Sequence, residues 1–331
     1  MKFGPVPLEA AIGAILAHSE AVPGGRLRKG LLLESEHLDQ LRAAGLETVT
    51  VARLAPEDLH EDTAAQHLAE ALAKGAEGIR LSAPGTGRVN LIADGPGVVR
   101  LNAEAIHEAN SVDPMITIAT VPDMAQMGRG GMIATVKIIS YAVPGADLGR
   151  ACDISRGAVR LAAPQHRTAT LIVTETSAGA GDKGRDAIAA RVEALDMTLC
   201  DVVHVPHDAA PLTAAVAQAE GDIVLILTAS ATSDAHDTGP EALRAAGGEV
   251  TRFGMPVDPG NLLFLGHLGA RPVIGLPGCA RAPSLNGADW VLSRIACGIP
   301  VTSGDIAAMG VGGLLKEIPS RPMPRRGKKS V

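Results

Sequence analysis

Apolar residues recur along this chain with two periods, and the elements they predict change character along its length. Leu8, Ile12, Ile15 and Leu16 fall at helical spacing, which predicts a helix over 7–21 stopped by Pro23-Gly24-Gly25. Lys29-Gly30 turns into a short apolar segment, 31–33. A helix is expected over 36–44, ending at Gly45, and then a strand at Thr48–Arg53. Residues 56–74 place Leu59, Ala64, Leu68, Ala71 and Leu72 on one helical face, with Gly75 ending the helix in a left-handed conformation. From Ile79 to Val143, short Val/Leu/Ile runs alternate with Pro-Gly, Asp-Gly-Pro-Gly and Gly-Arg-Gly-Gly, the pattern of a β-rich module with tight turns. Its clearest strand is Met132–Ile139. Pro144-Gly145 and the mixed polar stretch to about His166 read as a boundary.

Beyond Arg167 strands and helices alternate. Strands are expected at Ala169–Thr174, Asp201–Val205, Ile223–Thr228, Glu249–Phe253 and Pro272–Leu276. Helices are expected at Asp186–Leu195, Ala209–Ala219, Pro240–Ala246 and Ala288–Ala296. Ile223–Leu227 is continuously apolar, as a parallel strand covered by helices on both faces requires. The fold class expected is therefore α/β: a three-layer domain with a mostly parallel sheet over 166–315, preceded by an α+β region, 1–165, that contains the β-rich module of 79–143. The segment 316–331 carries Arg321, Arg325, Arg326, Lys328 and Lys329 among prolines. It reads either as a solvating tail or as a basic contact for nucleic acid or membrane.

Composition narrows the function classes. Aromatic residues make up 2% of the 331, so base-stacking platforms are missing, and 36 acidic against 30 basic residues give a net charge of −6. Both disfavour a general nucleic-acid binder while leaving room for a local phosphate pocket. Cys152, Cys200, Cys279 and Cys297 form no Cys-x-x-Cys pair, which points to reduced thiols in a cytoplasmic protein. The start, Met1-Lys2-Phe3-Gly4-Pro5, lacks the pattern of a signal peptide, and no apolar run is long enough to span a membrane, so no membrane partner is expected.

Ligands of parallel α/β domains lie beyond the carboxyl ends of the strands. Four loops there are rich in Gly, Asp, Ser or Thr. The first, 174–185, offers Gly179, Gly181 and Asp182, with Lys183 and Arg185 for a phosphate. It matches neither a Walker loop nor a dinucleotide fingerprint, and an ordinary turn is an equal reading. The second offers Thr228, Ser230, Thr232 and Ser233 as hydroxyls and Asp234 and Asp237 as carboxylates for Mg2+ or a polar ligand, although Asp237 also suits an N-cap before Thr238-Gly239-Pro240. His236 has no His or Cys neighbour to make it a metal ligand. The third contains Asp258, Gly260 and Asn261, and the fourth Gly275, Gly278 and Cys279. Either is a pocket border or a tight connection. Cys279 reads more readily as a small buried thiol than as a nucleophile.

The order of these loops, with Gly275-Leu276-Pro277-Gly278 after the last core strand, resembles the molybdopterin-binding domain family, of the MoaB/Mog-like kind, over roughly 167–300. In that resemblance Asp182 matches the Gly-Asp of the first loop. Thr228–Asp237 matches the Ser/Thr/Gly/Asp-rich loop, Asp258–Asn261 the Lys-Pro-Gly-Lys turn, and Gly278 the last glycine of Gly-Leu-Pro-Gly-Asn-Pro. The chain departs from the pattern at Thr228-Ala229-Ser230-Ala231, at Asp258 and Asn261, where lysines are missing, and at Cys279-Ala280. The runs Gly-Met-Pro-Val-Asp-Pro-Gly-Asn and Gly-Leu-Pro-Gly-Cys-Ala-Arg resemble a divergent subgroup elsewhere joined to a molybdenum-cofactor nucleotidyltransferase. The first half, with Arg28-Lys29-Gly30 and Val136-Lys137-Ile138-Ile139, is similar to the accessory region of molybdate-insertion proteins.

The resemblance implies binding of molybdopterin, its nucleotide form or the finished molybdenum cofactor in biosynthesis, maturation or delivery. Gly179, Gly181, Asp182, Thr228, Ser230, Thr232, Ser233, Asp234, Asp237, Asp258, Gly260, Asn261, Gly275 and Gly278 would hold the cofactor, and Asp182, Asp234 and Asp237 would hold Mg2+. It further implies a phosphorylated pterin as small-molecule partner, a molybdoenzyme or nucleotidyltransferase as protein partner, and a homodimer. An enzyme acting on a nicotinamide-type nucleotide is the second reading, since a competence-damage family shares the general domain, and a non-catalytic assembly protein the third.

Overall fold

The computed structural model describes residues 1–176 and 183–315. These divide into two units, the first taking in Met1–Asp94, Val99–Asp123 and Arg129–Leu161, the second Gly95–Val98, Met124–Gly128 and the chain from Ala162 onward.

In the first unit, Thr48–Arg53 is a strand, as expected, and pairs antiparallel with Lys2–Pro7 on one side and Ile15–Leu16 on the other. The helix expected over 7–21 is therefore absent, with only a 3-10 turn at Leu8–Ala10. Leu8, Ala11, Ala14 and Leu16 are nevertheless buried together, because Gly13, at φ 70°, turns the chain between them. Their spacing recorded burial but not helix. Helix Ser35–Ala43 covers this sheet through Leu38 and Leu41.

Helix Glu61–Leu72 starts later than its periodicity suggests, because Asp58–His60 pairs with Ala142–Pro144. Gly75 follows it at φ 72°. The β-rich module forms a four-stranded antiparallel sheet in the order Ile116–Thr120, Met132–Ile138, Arg88–Ala93, Ile79–Leu81. A helix, Ala103–Asn110, interrupts it, started by Asn102 accepting from Ala105 N. The supposed boundary after Pro144 is also a helix, Gly145–Ile154, with Leu148 and Ala151 buried.

The second unit is the α/β part. Its strands are β1 Thr168–Glu175, β2 Thr198–Pro206, β3 Ile223–Leu227, β4 Glu249–Phe253, β5 Phe264–Leu268 and β6 Arg271–Leu276. Its helices are α1 Lys183–Glu193, α2 Ala209–Gln218, α3 Thr238–Ala245, α4 Gly287–Ala296 and α5 Ser303–Ala308. They build a six-stranded sheet in the order β2-β1-β3-β6-β5-β4. The first four strands are mutually parallel, while β5 is antiparallel to both β6 and β4. β5 and α5 carry no expected element. β5 follows a Pro/Gly-rich turn and contains Gly266, where an added Cβ would lie 2.2 Å from Glu249 O in the neighbouring strand.

All five residues of β3 are buried, as its unbroken apolar run requires. Alternate strand positions feed two core clusters. Leu171, Leu225 and Ile274 pack with Ile188 of α1 and Val291 of α4, whereas Ile172, Ile226 and Val273 pack with Val216 of α2 and Leu243 of α3. Each such fully buried aliphatic side chain contributes roughly 1.5–3 kcal/mol. Residues 97–98 pair with 126–127 in the same unit, and Val98 is buried against Cys297 and Ile299.

Candidate functional site

The strand directions collect the candidate loops at one edge. The carboxyl ends of β1, β2, β3 and β6 point one way, and because β5 runs backwards, the turn between β4 and β5 opens on that edge too. The segments 228–237, 254–263 and 277–286 therefore share it with His207-Asp208 and the start of α1. Gly179, Gly181 and Asp182 lie outside the described residues.

At the centre, Pro277 leads β6 into a 3-10 turn, Gly278–Arg281, which turns Arg281 back toward the sheet. Its Nη2 donates to Thr228 O at 2.9 Å. A Cβ on Gly184 would come within 3.0 Å of both Arg281 Nη1 and Leu227 Cδ2. The guanidinium thus sits between the end of β3 and the first turn of α1, whose amides have no partners within the helix. Burial lowers its hold on its proton from the ordinary arginine value. A cation beside a helix start favours an anion there on both charge and hydrogen-bonding grounds.

Thr174, buried near the end of β1, forms a second junction. Its Oγ1 accepts from Ala229 N at 2.8 Å and lies 2.9 Å from His207 Nδ1. A hydroxyl has one proton to give. It also has two lone pairs, so with one taken by Ala229 N–H it bonds Nδ1 either by donating that proton or by accepting from Nδ1–H. Three strand ends are joined through one side chain.

Within the second loop, Thr228 Oγ1 donates to Ser230 O at 2.6 Å and lies 3.3 Å from Thr232 Oγ1, and both threonines are buried. Ser230, Ser233 and Asp234 are exposed. Ser233 Oγ donates to Ala231 O, and Asp234 Oδ1 accepts from His236 N. Asp237 is the N-cap of α3, its Oδ1 accepting from Thr238 N at 2.7 Å and its Oδ2 from Ser233 N at 2.9 Å. Those two amides hold its carboxyl below the ordinary aspartate range. His236 is paired with Glu241, which Arg244 also engages.

The third loop is tied down rather than open. Asp258 N donates to Gly313 O and Leu315 N to Asp258 O, while Met255 and Asn261 bond to each other through Met255 N to Asn261 O and Asn261 Nδ2 to Met255 O. The Asp258–Pro259 peptide is cis. Gly260, at φ 146°, passes so close to α4 that a Cβ would meet Gly287 N at 2.8 Å. Asp258 and Asn261 are exposed. Gly275 lies under the Phe264 ring, where a Cβ would fall 1.9 Å from a ring carbon. Gly278 and Cys279 are exposed, so Cys279 is not the small buried thiol expected, and the buried one is Cys297.

Arg191 of α1 fixes the fourth loop from below. Its Nε donates to Asp289 Oδ1 at 2.6 Å, Nη1 to the carbonyls of Ala187 and Ala280 at 2.9 Å, and Nη2 to those of Ala282 and Ser284 at 2.8 and 2.9 Å. All five guanidinium donors are occupied. Among the described residues, the grouping with metal-ligand geometry is elsewhere, at Glu34, Glu36 and His37 in the first unit, where His37 Nδ1 accepts from Glu34 N in a helix cap. A cavity of about 270 Å³ opens at the opposite edge of the sheet, lined by His166, Leu265, His267, Pro272 and Ile299, away from all of these loops.

Thr174, His207, Arg191 and Arg281 were not among the expected site residues. Arg281 and Thr174 stand at the ends of the glycine-rich motifs, so their position next to glycine turns was the available signal. His207 and Arg191 gave none.

A family model described as "Probable molybdopterin binding domain" matches residues 170–293. A second, described as "Domain of unknown function (DUF8806)", matches residues 5–53, the N-terminal sheet and its helix. Among solved structures, a molybdopterin biosynthesis MoeA protein from Pyrococcus horikosii is 15% identical, with 89% of this chain and 75% of that one covered and a TM-score of 0.32. No curated protein matches. The chain thus carries a molybdopterin-binding domain in its second unit, with an α/β architecture and a mixed sheet, and among the described residues no helix is long and apolar enough to cross a membrane.

Proposed function

We propose that the second unit binds a phosphorylated pterin, as molybdopterin, its nucleotide form or the finished molybdenum cofactor, at the carboxyl edge of its sheet. The observation that carries this reading is that the matched stretch, 170–293, includes every loop at that edge. Arg281 beside the Gly184 start of α1 receives the phosphate, assisted by the 179–182 segment with Gly179, Gly181 and Asp182. Ser230 and Ser233 supply exposed hydroxyls. Asp258–Asn261 and Gly278 border the pterin, which is held by backbone groups and small polar side chains.

The donor set suits both parts of such a ligand. Gly184 leaves a cradle that a Cβ would fill beside the guanidinium, and the Asp234 and Asp237 oxygens are the hard ligands Mg2+ prefers. When bound, Mg2+ would neutralise phosphate charge, with Asp182 as a third ligand. The two core clusters on alternate strand positions support reading this unit as three layers of the MoaB/Mog-like kind. A cytoplasmic homodimer that hands its ligand to a molybdoenzyme or nucleotidyltransferase completes the proposal.

The test is anaerobic purification followed by mass spectrometry of the bound small molecule, with Arg281→Ala alongside. A pterin that co-purifies with, or binds to, the wild-type protein and is lost from the variant is expected. Failure of any pterin to bind sinks the reading, and retention of a nicotinamide-type nucleotide instead favours the nucleotide enzyme.

A further inference from the structure

The first unit holds a cavity of its own. It opens between helix Glu61–Leu72 and helix Gly145–Ile154, with a volume of about 470 Å³, within the size range of small-molecule sites. Leu59, Ala71 and Leu148 give it an apolar floor, and Gly149 keeps it open, since a Cβ there would meet no atom within 4 Å. All of these residues belong to that unit.

The rim is charged, and the charge has a direction. Glu70 and Lys74 line one wall, Asp153 and Arg156 the other. Gly157 N donates to Ala71 O at 2.8 Å, and a Cβ on Gly157 would lie 3.1 Å from Lys74 O, so the two helices finish side by side. Lys74 and Arg156, each two residues past its helix, therefore stand at the same end of the cavity. The carboxylates are set back along their walls, Glu70 by four residues, about 6 Å, and Asp153 by three, about 4.5 Å.

These groups are loosely committed. Arg156 Nη2 donates to Asp153 Oδ1 at 2.6 Å, but the two side chains are 52% and 77% exposed, and exposed pairs contribute little. Glu70 accepts from Gln66 Nε2 rather than from Lys74, whose Nζ has no hydrogen bond or ion pair among the described residues. A cation after a helix end suits the macrodipole. That accounts neither for the carboxylates one turn back nor for the open space at Gly149.

Two cations against two carboxylates leave the rim neutral, which disfavours a polyphosphate or a polyamine. Positive charge at one end, negative charge one turn back and an apolar floor match a zwitterion that carries apolar groups. A dipeptide fits the spacing, because two extended residues span roughly 7 Å. We infer that this cavity binds a dipeptide with apolar side chains, its carboxylate between Lys74 and Arg156 and its ammonium against Glu70 and Asp153. The inference uses no residue of the second unit and is independent of the pterin reading. Cys152 lines the same cavity, half-buried, so its thiol reports occupancy.

The experiment titrates L-leucyl-L-leucine calorimetrically into the full-length protein, beside its N-acetylated and C-amidated forms, and follows alkylation of Cys152 by peptide mass spectrometry. The dipeptide is expected to bind and, at saturation, to slow Cys152 alkylation at least five-fold, and each capped form to bind at least five-fold more weakly. Gly149→Leu fills the open space, and the pair K74Q and R156Q removes the cationic end. Each is expected to weaken dipeptide binding at least five-fold with the thermal midpoint retained. Absence of both heat and protection in the millimolar range overturns the inference. So does an affinity within two-fold of wild type in either variant, and so do capped forms that bind as well as the dipeptide. None of these results touches the pterin reading, which fails alone if the dipeptide binds and no pterin does.

Discussion

Replacing Arg191 by alanine tests how the fourth loop is held. The change removes the ionic partner of Asp289 and the donor of Ala280 O, which belongs to a buried residue, while Ala282 and Ser284 are exposed and their carbonyls regain water. Ala187 O is an intrahelical acceptor and loses little. Breaking one side of a buried ion pair costs about 3–5 kcal/mol. The Arg191 and Asp289 side chains are 9% and 13% exposed, and Asp289 keeps the bond from Asn286 N, which places R191A at the lower end, about 3 kcal/mol. R191K keeps the charge but cannot span a carboxylate and three loop carbonyls, so about half that loss is expected. Trp290, the single tryptophan, follows Asp289 on α4, and its fluorescence during urea unfolding reports this unit. A shift of R191A below about 1 kcal/mol, or an R191K protein indistinguishable from wild type, would refute the bridging role.

Four further outcomes are expected. Gly275→Ala forces a Cβ into the Phe264 ring and lowers stability by about 1–3 kcal/mol, with Phe264→Leu in the same chain restoring part of it in thermal melts. Asp237→Ala loses the α3 cap and about 1 kcal/mol at pH 7. Because the wild-type carboxyl is depressed when folded, its stabilisation is present above the unfolded value near 3.9 and fades as pH falls through the folded one, so the two proteins converge in acid melts below about pH 4. Cys297, pushed up to about 11 by burial, resists a thiol-specific reagent at pH 8 until urea is added, whereas exposed Cys200 and Cys279 react at once. Thr174→Val removes the hydroxyl that joins Ala229 N and His207 Nδ1, so the variant is expected to lose about 1 kcal/mol in urea unfolding, measured by Trp290 fluorescence.

The α/β unit was legible because its inner strands β1, β3 and β6 are largely buried and α2, α3 and α4 follow the capping residues Asp208, Asp237 and Asn286. β3 and β4 fall within a residue of their expected limits. β5 was not, since Gly266 and the turn before it break the apolar run and the reversed direction leaves no local mark. In the first unit, Leu8–Leu16 imitates a helix because an irregular segment crossing a core buries every third or fourth residue as well. At the site, loop positions follow from topology and could be read, and Asp237 as a cap could be read from Thr238-Gly239-Pro240. The junctions made by Thr174, His207 and Arg191 depend on partners 33 to 98 positions away, which spacing does not encode.

The backward run of β5 divides the irregular chain of this unit unequally between the two ends of the sheet. Connections 228–237, 254–263 and 277–286 span ten residues each on one edge, whereas 194–197, 219–222, 246–248 and 269–270 span two to four on the other. For protein engineering that makes the unit one-sided. Loops transplanted from a related domain can be exchanged at the long edge, where strand register is already set by the sheet, while the short edge has no slack to absorb an insertion.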